Sequence, residues 1–187
     1  QFGTLPAMAI GYLMPQRRTA EWCAMALLDQ VLHGGRAGRV YRDQVLEKQL
    51  AVEADGGVDD LFGYDGPTQM TTRIFHKPEV SSEETLGAFD QIIREIQEKG
   101  ITANELAQIK VKWCSDYFAT LEGGRGGHMP KFGLMHLLAC FTLFDGEAQL
   151  VNTILDGFLA VTTEQVQEAA RSFLQPQNRA IVFRKPK

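Results

Sequence analysis

Hydrophobic and polar positions in the first part of the chain predict the order strand, helix, helix, strand, strand. Residues 5–14 are apolar on both alternating faces, which is typical of a strand covered on both sides. Two segments with apolar residues at helical spacing follow, and Gly34 and Gly35 separate them. The next two segments have strand-like patterns, and an antiparallel pair is their simplest arrangement. The predicted elements span residues 5–14, about 19–32, 37–46, 50–56 and 68–75.

Helix-capping pairs mark the predicted helix starts in the second part of the chain. At three places a Ser or Thr stands three residues before a Glu or Gln and ahead of an apolar run, which is the pattern of a capping box. The pairs are Ser81 with Glu84, Thr102 with Glu105, and Thr162 with Gln165. They predict three helices, of which Gly100 ends the first and Pro176 the third. Two more apolar helices are predicted at about 131–144 and 147–159, and a last strand at RAIVFR (179–184).

The order of these elements predicts the fold class. Runs of helices and strands that do not alternate favour an α+β fold with one mixed, largely antiparallel sheet and helices packed on it. A chain of 187 residues can bury the core of one domain without disulfides or a metal. We therefore expect residues 1–187 to form a single α+β domain. The sequence lacks an initiator methionine, so we expect a fragment of a longer chain.

Charge and hydropathy narrow the classes of partner. The formal net charge is -4 and the pI about 5.6, so no global field attracts nucleic acid or anionic lipid. No apolar run approaches the roughly 20 residues that a membrane-spanning helix needs. We expect a soluble protein without nucleic-acid partners. Any targeting signal would lie upstream, and the compartment stays unknown.

Local motifs for nucleotide, metal or nucleophilic chemistry do not occur in the sequence. Residues 34–38 (GGRAG) follow a predicted helix and lack the spacing of a dinucleotide-binding turn, which favours a turn between two helices. No two histidines are four residues apart, as the zinc motif His-x-x-Glu-His requires. The histidines are His33, His76, His128 and His136. The cysteines, which we expect to be buried free thiols, are Cys23, Cys114 and Cys140.

Several segments together resemble a known family. They are LPAMAIGYLMP, ALLDQVLHGG, RAGRVYRDQVLEKQLAVEA and, later, GITANELAQIK. In this order and spacing they resemble the second half-domains of pitrilysin/insulinase-type zinc metallopeptidases, which include the mitochondrial processing peptidase. The resemblance extends from about Leu5 to Arg184. It implies two similar α+β halves that close around a peptide, with zinc on His-x-x-Glu-His in one half only.

The resemblance implies that this chain is the zinc-less half. Its expected role is to wall the peptide chamber and to support proteolysis by a catalytic half in the same or a neighbouring polypeptide. Zinc is then expected in that partner half, with no cofactor or metal in this chain. Many members also supply an Arg and, seven residues later, a Tyr, which reach the substrate or the oxyanion. In this sequence Val45 and Val52 occupy those positions, and neither donates a hydrogen bond.

Other residues are candidates to replace that pair. Arg39, Tyr41 and Arg42 lie just after the glycine turn, and Arg73 lies among outward-facing strand residues. Each is a candidate for substrate binding, although packing is the favoured interpretation of Tyr41 and a solvated charge that of the arginines. The glycine-rich loop EGGRGGHMP (122–130) favours a mobile surface loop over a preorganised site.

Two hypotheses of function remain, with nucleotide binding a distant third. The first is the non-catalytic half of a working zinc metalloendopeptidase, inactive as this chain alone. The alternative is a structural or interaction module of a family member without peptidase activity, which the two valines favour. Peptide specificity stays open, and the fragment alone is a candidate for homodimer formation through exposed apolar surface.

Overall fold

The strands and helices of the computed structural model follow the predicted order, and it describes residues 5–58, 61–66, 68–122 and 133–185. The strands are β1 (Ala7–Leu13), β2 (Ala51–Val58), β3 (Gln69–His76) and β4 (Arg179–Arg184). The helices are α1 (Ala20–His33), α2 (Arg39–Tyr41), α3 (Ser82–Lys99), α4 (Ala103–Leu121), α5 (Gly133–Asp145), α6 (Ile154–Ala160) and α7 (Thr163–Phe173). A π-helix, Arg42–Glu47, continues α2, and 3₁₀ turns occupy Gly35–Ala37, Ala148–Asn152 and Pro176–Asn178.

The four strands form one sheet in the order β2-β3-β1-β4. All three neighbouring pairs are antiparallel. The predicted pairing of β2 with β3 is confirmed, since Ala54 faces Ile74 and Val58 faces Met70. The predicted α+β class, a sheet with helices packed on it, is therefore confirmed, and the described sheet is antiparallel throughout.

The prediction that β1 is covered on both sides is wrong for the described part of the chain. Met8, Ile10 and Tyr12 are buried on the face that meets the helices. On the opposite face Leu13 is 63% exposed, and Ala9 and Gly11 are half-buried. The apolar residues on this second face are mostly small. Their apolar character predicts burial, but leaving small side chains partly exposed to solvent costs little free energy.

Helix α1 is the centre of the core. Thr19 caps its N-terminus, with the hydroxyl oxygen accepting a hydrogen bond from the Trp22 backbone N–H at 3.2 Å. Every residue from Trp22 to His33 is buried. The helix packs against α4, α6, α7 and β2. An aromatic cluster joins it to the neighbouring elements, and its members are Trp22, Phe62, Trp113, Phe141 and Phe158.

The three predicted helix starts are confirmed. Ser81, Thr102 and Thr162 are the N-caps of α3, α4 and α7, and each side chain accepts a backbone hydrogen bond from the residue three positions later. Only the Thr162 pair forms the reciprocal capping box. The predicted helix 147–159 is instead a 3₁₀ turn followed by the shorter α6, with the break at Thr153. Asn152 and Thr153 are weak helix formers, which favours a break there.

A buried ion pair ties the loop after β1 to the end of α5. The Arg17 guanidinium donates to both carboxylate oxygens of Asp145 at 2.7–3.1 Å, and to the Phe62 carbonyl at 2.9 Å. Its side chain is 6% exposed and that of Asp145 is 3% exposed. The guanidinium also lies over the Phe141 ring, 5.7 Å from its centroid. Arg17 therefore links three segments that are far apart in the sequence.

We expect Arg17→Ala to destabilise the fold strongly, because the buried Asp145 would keep only the more distant contact with the exposed Arg18, at 3.8 Å. Removing one member of a buried pair typically costs about 3–5 kcal/mol. The double variant Arg17→Met with Asp145→Leu should lose clearly less, since it leaves no buried charge. Urea unfolding followed by circular dichroism measures both. A loss below about 1 kcal/mol for Arg17→Ala, the range of an exposed pair, would contradict this account.

Candidate functional site

The glycine-rich turn after α1 is a packing device. A Cβ on Gly34 would lie 2.4 Å from the Gln30 carbonyl oxygen, and one on Gly38 would lie 2.6 Å from the Leu32 carbonyl oxygen. Gly35 has a φ of +67°, which favours glycine. The three glycines let the chain turn tightly against the end of α1. This agrees with the predicted turn between two helices.

Three rare backbone features follow within a dozen residues. The first is the π-helix Arg42–Glu47, where the sequence predicts a regular helix over 37–46. The second is Gln49, a non-glycine residue with a φ of +54°. The third is a β-bulge in β2, where the pairing with β3 shifts between Ala51 and Glu53. Such features cost free energy and concentrate at functional sites, so this segment is the first candidate.

The two valines at the expected donor positions lie in this irregular segment. Val45 is half-buried on the π-helix and packs against the hydrophobic core. Val52 lies at the bulge and is 53% exposed. The backbone irregularity thus presents one apolar side chain inward and one outward. Neither supplies a hydrogen bond to a substrate.

Arg39, Tyr41 and Arg42 already have partners within the chain. Arg39 forms a half-buried bidentate pair with Glu105, at 3.1 and 2.7 Å. Arg42 forms an exposed ion pair with Glu47 at 3.2 Å. The Tyr41 ring lies under the Arg36 guanidinium, 5.5 Å from its centroid. The Arg39 contact also explains why Glu105 does not complete the predicted capping box of α4.

Arg39 and Arg42 line an open cleft of about 660 Å³ between the end of α1, the π-helix, α3 and α4. Its basic side chains are Arg39, Arg42 and Lys112. Its acidic side chains are Asp43, Glu47, Glu95 and Glu105. The mixture of signs gives no preference for a phosphate or another anion. The cleft is a groove on the helical side of the molecule.

Arg73 lies elsewhere, on the face of the sheet that no described helix covers. We call this the open sheet face. Its residues are Ala7, Ala9, Gly11 and Leu13 of β1, Glu53, Asp55 and Gly57 of β2, Gln69, Thr71, Arg73 and Phe75 of β3, and Ala180, Val182 and Arg184 of β4. Arg73 forms an exposed ion pair with Asp55 on the next strand, at 2.7 Å. The structure therefore separates Arg73 from the other three candidates.

A buried polar network escaped the sequence analysis. His33 Nδ1 lies 2.8 Å from Asp29 Oδ1, and His33 Nε2 lies 2.8 Å from the Thr72 hydroxyl. The two ring nitrogens thus each have a polar partner, the carboxylate at Nδ1 and the hydroxyl at Nε2, and a hydroxyl can either donate or accept. All three residues are buried. The network resembles a catalytic triad in composition, but its burial makes it a link between α1 and β3.

Only half of this network is visible in the sequence. Asp29 and His33 are four residues apart on α1, a spacing that places side chains together. Thr72 is distant in the chain and gives no such signal. Gly56 completes the arrangement, since a Cβ there would lie 2.6 Å from His33 Cδ2 and 2.4 Å from the Thr71 carbonyl oxygen. The imidazole thus packs directly under the backbone of β2.

The three cysteines are free thiols. The prediction of burial is confirmed for Cys23 and Cys140, whereas Cys114 is half-buried. Burial raises the pKa of the Cys23 thiol to about 12, which suppresses its reactivity. Cys140 Sγ lies 3.2 Å from His136 Nε2. Within the described ranges, no three His, Cys, Asp or Glu residues are grouped in a way that would hold a metal ion.

Two further expectations concern the loop and the membrane. From residue 123 onward the glycine-rich loop (122–130) lies outside the described residues, so its predicted character stays a prediction. No helix in the described part of the chain has the length and apolar character needed to cross a bilayer.

These features define the class of fold: an α+β domain with one antiparallel sheet, whose described residues include no group that would hold a metal ion. The family model "Peptidase M16 inactive domain" matches residues 2–112. The chain therefore belongs to this family, the inactive half of pitrilysin-type zinc proteases. The resemblance noted in the sequence is confirmed. A search of curated proteins gives no match.

Solved structures share the fold at low sequence identity. The inactive peptidase domain of a Bordetella parapertussis protein has a TM-score of 0.81 at 21% identity, over 99% of this chain and 92% of that one. A Helicobacter pylori protease has a TM-score of 0.81 at 19% identity, over 97% of this chain. A peptidase M16 inactive domain from Pseudomonas fluorescens has a TM-score of 0.76 at 19% identity, over 98% of this chain. This chain spans only 41% of the Helicobacter and Pseudomonas chains.

We expect Gln49→Gly to stabilise the fold, because the left-handed conformation costs a non-glycine residue about 1–2 kcal/mol. Part of that gain is offset by the greater backbone entropy of unfolded glycine, which leaves a net gain of about 0.5–1 kcal/mol. Gln108→Gly in the middle of α4 is the matched control. It should lose about 1 kcal/mol. Equal losses for both variants in urea unfolding would refute the strain at Gln49.

We expect Thr72→Val to cost about 1–3 kcal/mol, because it leaves His33 Nε2 buried without a hydrogen-bond partner. The neighbouring Thr71→Val changes the same atoms on the open sheet face and should be nearly neutral. Thermal and urea unfolding of both variants measures the difference. If the two variants lose the same stability, the network does not hold α1 against β3.

Proposed function

We propose that this chain is the non-catalytic half of a zinc metalloendopeptidase and that its open sheet face walls the peptide-binding chamber. One observation carries the proposal: a four-stranded sheet in an inactive peptidase domain has helices on one face and none among the described residues on the other. An uncovered sheet face of this size needs a neighbour or a ligand. A second half-domain closing over it would enclose a chamber. The peptide would lie between the two halves.

Catalysis is assigned to the partner half. The described residues of this chain do not fit a zinc site, because they contain no suitable group of ligands. A partner carrying His-x-x-Glu-His would supply zinc and the base for peptide hydrolysis. This half would contribute binding and closure. Alone it is expected to be inactive.

Arg73 is the strongest candidate for contact with the peptide. It lies on the open sheet face and is exposed, and its ion pair with Asp55 holds the guanidinium in place. A guanidinium donates hydrogen bonds to carbonyl or carboxylate groups of an extended chain. A role of Arg39, Tyr41 and Arg42 in substrate binding stays a prediction, since their partners lie on the helical side.

A second candidate function has its own supporting observation. Val45 and Val52 replace the hydrogen-bond donors expected from the resemblance, and Val52 is exposed where a donor would act. Losing a transition-state donor typically costs about 2.7–4 kcal/mol. This favours a structural or interaction module within an assembly that has no peptidase activity. Both functions require a partner half, and they differ in whether the assembly cleaves peptide.

The deciding experiment measures cleavage of a quenched fluorescent peptide library by the complete gene product. If a neighbouring gene product carries His-x-x-Glu-His, that protein is added to the assay. Zinc is removed and restored, and residues 1–187 are present or deleted. Cleavage that needs both zinc and this segment supports the proposal. Zinc-dependent cleavage without the segment contradicts it. No cleavage by the zinc-loaded assembly favours the structural module.

In an active assembly, Arg73→Ala should lower kcat/KM by about tenfold or more, mainly through KM, because a charged hydrogen bond contributes about 1.5–3 kcal/mol. Arg94→Ala on the exposed side of α3 is the matched control and should leave the rate unchanged. Equal rates for both variants would remove Arg73 from the substrate-binding surface.

A further inference from the structure

One internal stretch of the chain has little apolar anchoring. It runs from residue 42 to residue 53, and we call it the 42–53 segment. It contains the π-helix, the turn at Gln49 and the β-bulge of β2. In this stretch, all of which the structure describes, only Gln44 and Ala51 are buried, while Val45 and Leu50 are half-buried. Because buried apolar area is the main source of stability, the side chains of the segment hold it in place only weakly.

Both flanks of the 42–53 segment are anchored firmly. Before it, Val40 of α2 is 1% exposed and belongs to the hydrophobic core. After it, Ala54 is buried and faces the fully buried Ile74 of β3. The weakly anchored stretch therefore lies between two fixed points of the same domain.

The buried glutamine of the segment is only partly satisfied. Gln44 Nε2 lies 3.3 Å from Asp43 Oδ2 and 3.4 Å from the Thr85 carbonyl oxygen, and both distances are long for a hydrogen bond. Gln44 Oε1 is buried and has no hydrogen-bond partner among the described residues. A buried carbonyl oxygen without a donor is unfavourable, because it has lost its bound water. Opening of the segment would return this carboxamide to water.

The backbone of the segment favours opening in the same direction. Gln49 has a φ of +54°, a left-handed conformation that a non-glycine residue leaves when it is free to move. The bulge between Ala51 and Glu53 interrupts the ladder between β2 and β3 where that ladder begins. The closed segment therefore contains strain that its opening relieves.

The ion pairs of the segment do not tie it to other elements, because both partners of each pair lie inside it. They are Arg42 with Glu47, at 3.2 Å, and Asp43 with Lys48, at 2.8 Å. Two further hydrogen bonds do reach other elements. The Lys77 backbone N–H donates to the Leu50 carbonyl at 3.0 Å, and Lys48 Nζ donates to Gln91 Oε1 at 3.2 Å in an exposed contact.

We infer that the 42–53 segment opens as one unit while α1 and the elements packed on it stay folded. Low apolar burial, an unsatisfied buried group and backbone strain coincide in it, and the least stable parts of a protein are those that open locally. Arg42, Asp43 and Glu47 line the cleft described above, so the segment is a movable wall of that cleft. The inference does not rest on the proposed function, because it concerns the stability of this chain itself.

Hydrogen exchange of the complete gene product, read by mass spectrometry, tests the inference. One reporter is the Lys48 backbone N–H, which donates to the Asp43 carbonyl at 2.9 Å inside the segment. The other is the Lys77 N–H, whose acceptor, Leu50, moves with the segment. Relative to unstructured peptides, both should exchange at least about tenfold faster than the hydrogen-bonded amides in the middle of α1.

Urea provides the second readout of the same experiment. Low concentrations of urea should change the exchange of Lys48 and Lys77 little, because opening of the segment exposes little surface. The same concentrations should speed exchange in α1 strongly, since its amides exchange when the whole domain unfolds. Equal exchange rates, or an equal dependence on urea, for the reporters and for α1 would overturn the inference.

Two substitutions separate local opening from unfolding of the whole domain. Ala107→Gly, at an exposed position in the middle of α4, destabilises the fold from another helix. It should speed exchange in α1 about fivefold and leave both reporters unchanged. Gln49→Gly should slow both reporters about two- to fivefold, because the closed segment loses its left-handed strain.

The two variants also give the results that would contradict the inference. Reporters that speed up as much as α1 in Ala107→Gly would mean that the segment unfolds only with the whole domain. Reporters that respond differently from each other to Gln49→Gly would mean that the segment does not open as one unit. Reporters that do not respond to it at all would exclude opening at Gln49. Circular dichroism establishes that each variant is folded.

Discussion

Burial of α1 is the constraint on which the rest of the structure depends. From Trp22 to His33 the helix has no exposed residue, so it must be covered on every side. Each fully buried large apolar side chain contributes about 1.5–3 kcal/mol, and no single neighbour can provide all of that cover. The inner sheet face covers one side, and α4, α6 and α7 cover the others. Those helices pack on α1, and none of the helices in the described ranges covers the outer face of the sheet.

Two of the three buried polar residues described on α1, Asp29 and His33, satisfy each other, whereas the third, Gln30, has a buried side-chain oxygen without a partner among the described residues. Asp29 and His33 face the sheet, and Thr72 completes their hydrogen bonds from β3. A buried polar group without a partner would cost about 1–3 kcal/mol, so the network fixes the rotation of the helix as well as its position. Specificity of packing therefore comes from three polar residues in an apolar interface.

Local signals in the sequence predicted most elements, and long-range contacts account for the errors. Ser81, Thr102 and Thr162 mark helix starts because capping involves only neighbouring residues. Helices that are distant in the sequence determine which face of β1 is covered. The segment LPAMAIGYLMP alone therefore could not show that only one face is buried. The π-helix over Arg42–Glu47 had no local signal, since its residues suit an ordinary helix. Arg39 looked free in the sequence because its partner, Glu105, lies on another helix.

The chemistry of the open sheet face bears on what covers it. A face that is permanently buried against another protein surface would have to desolvate the Arg73–Asp55 pair, which is unfavourable unless further hydrogen bonds compensate. A water-filled chamber imposes no such cost, and the pair can exchange its partners with those of a passing peptide. Ala9 and Gly11, at the centre of the same face, leave room for a main chain to approach the sheet closely. An ion pair beside small residues suits a surface that is wet and intermittently occupied better than a dry, permanent interface.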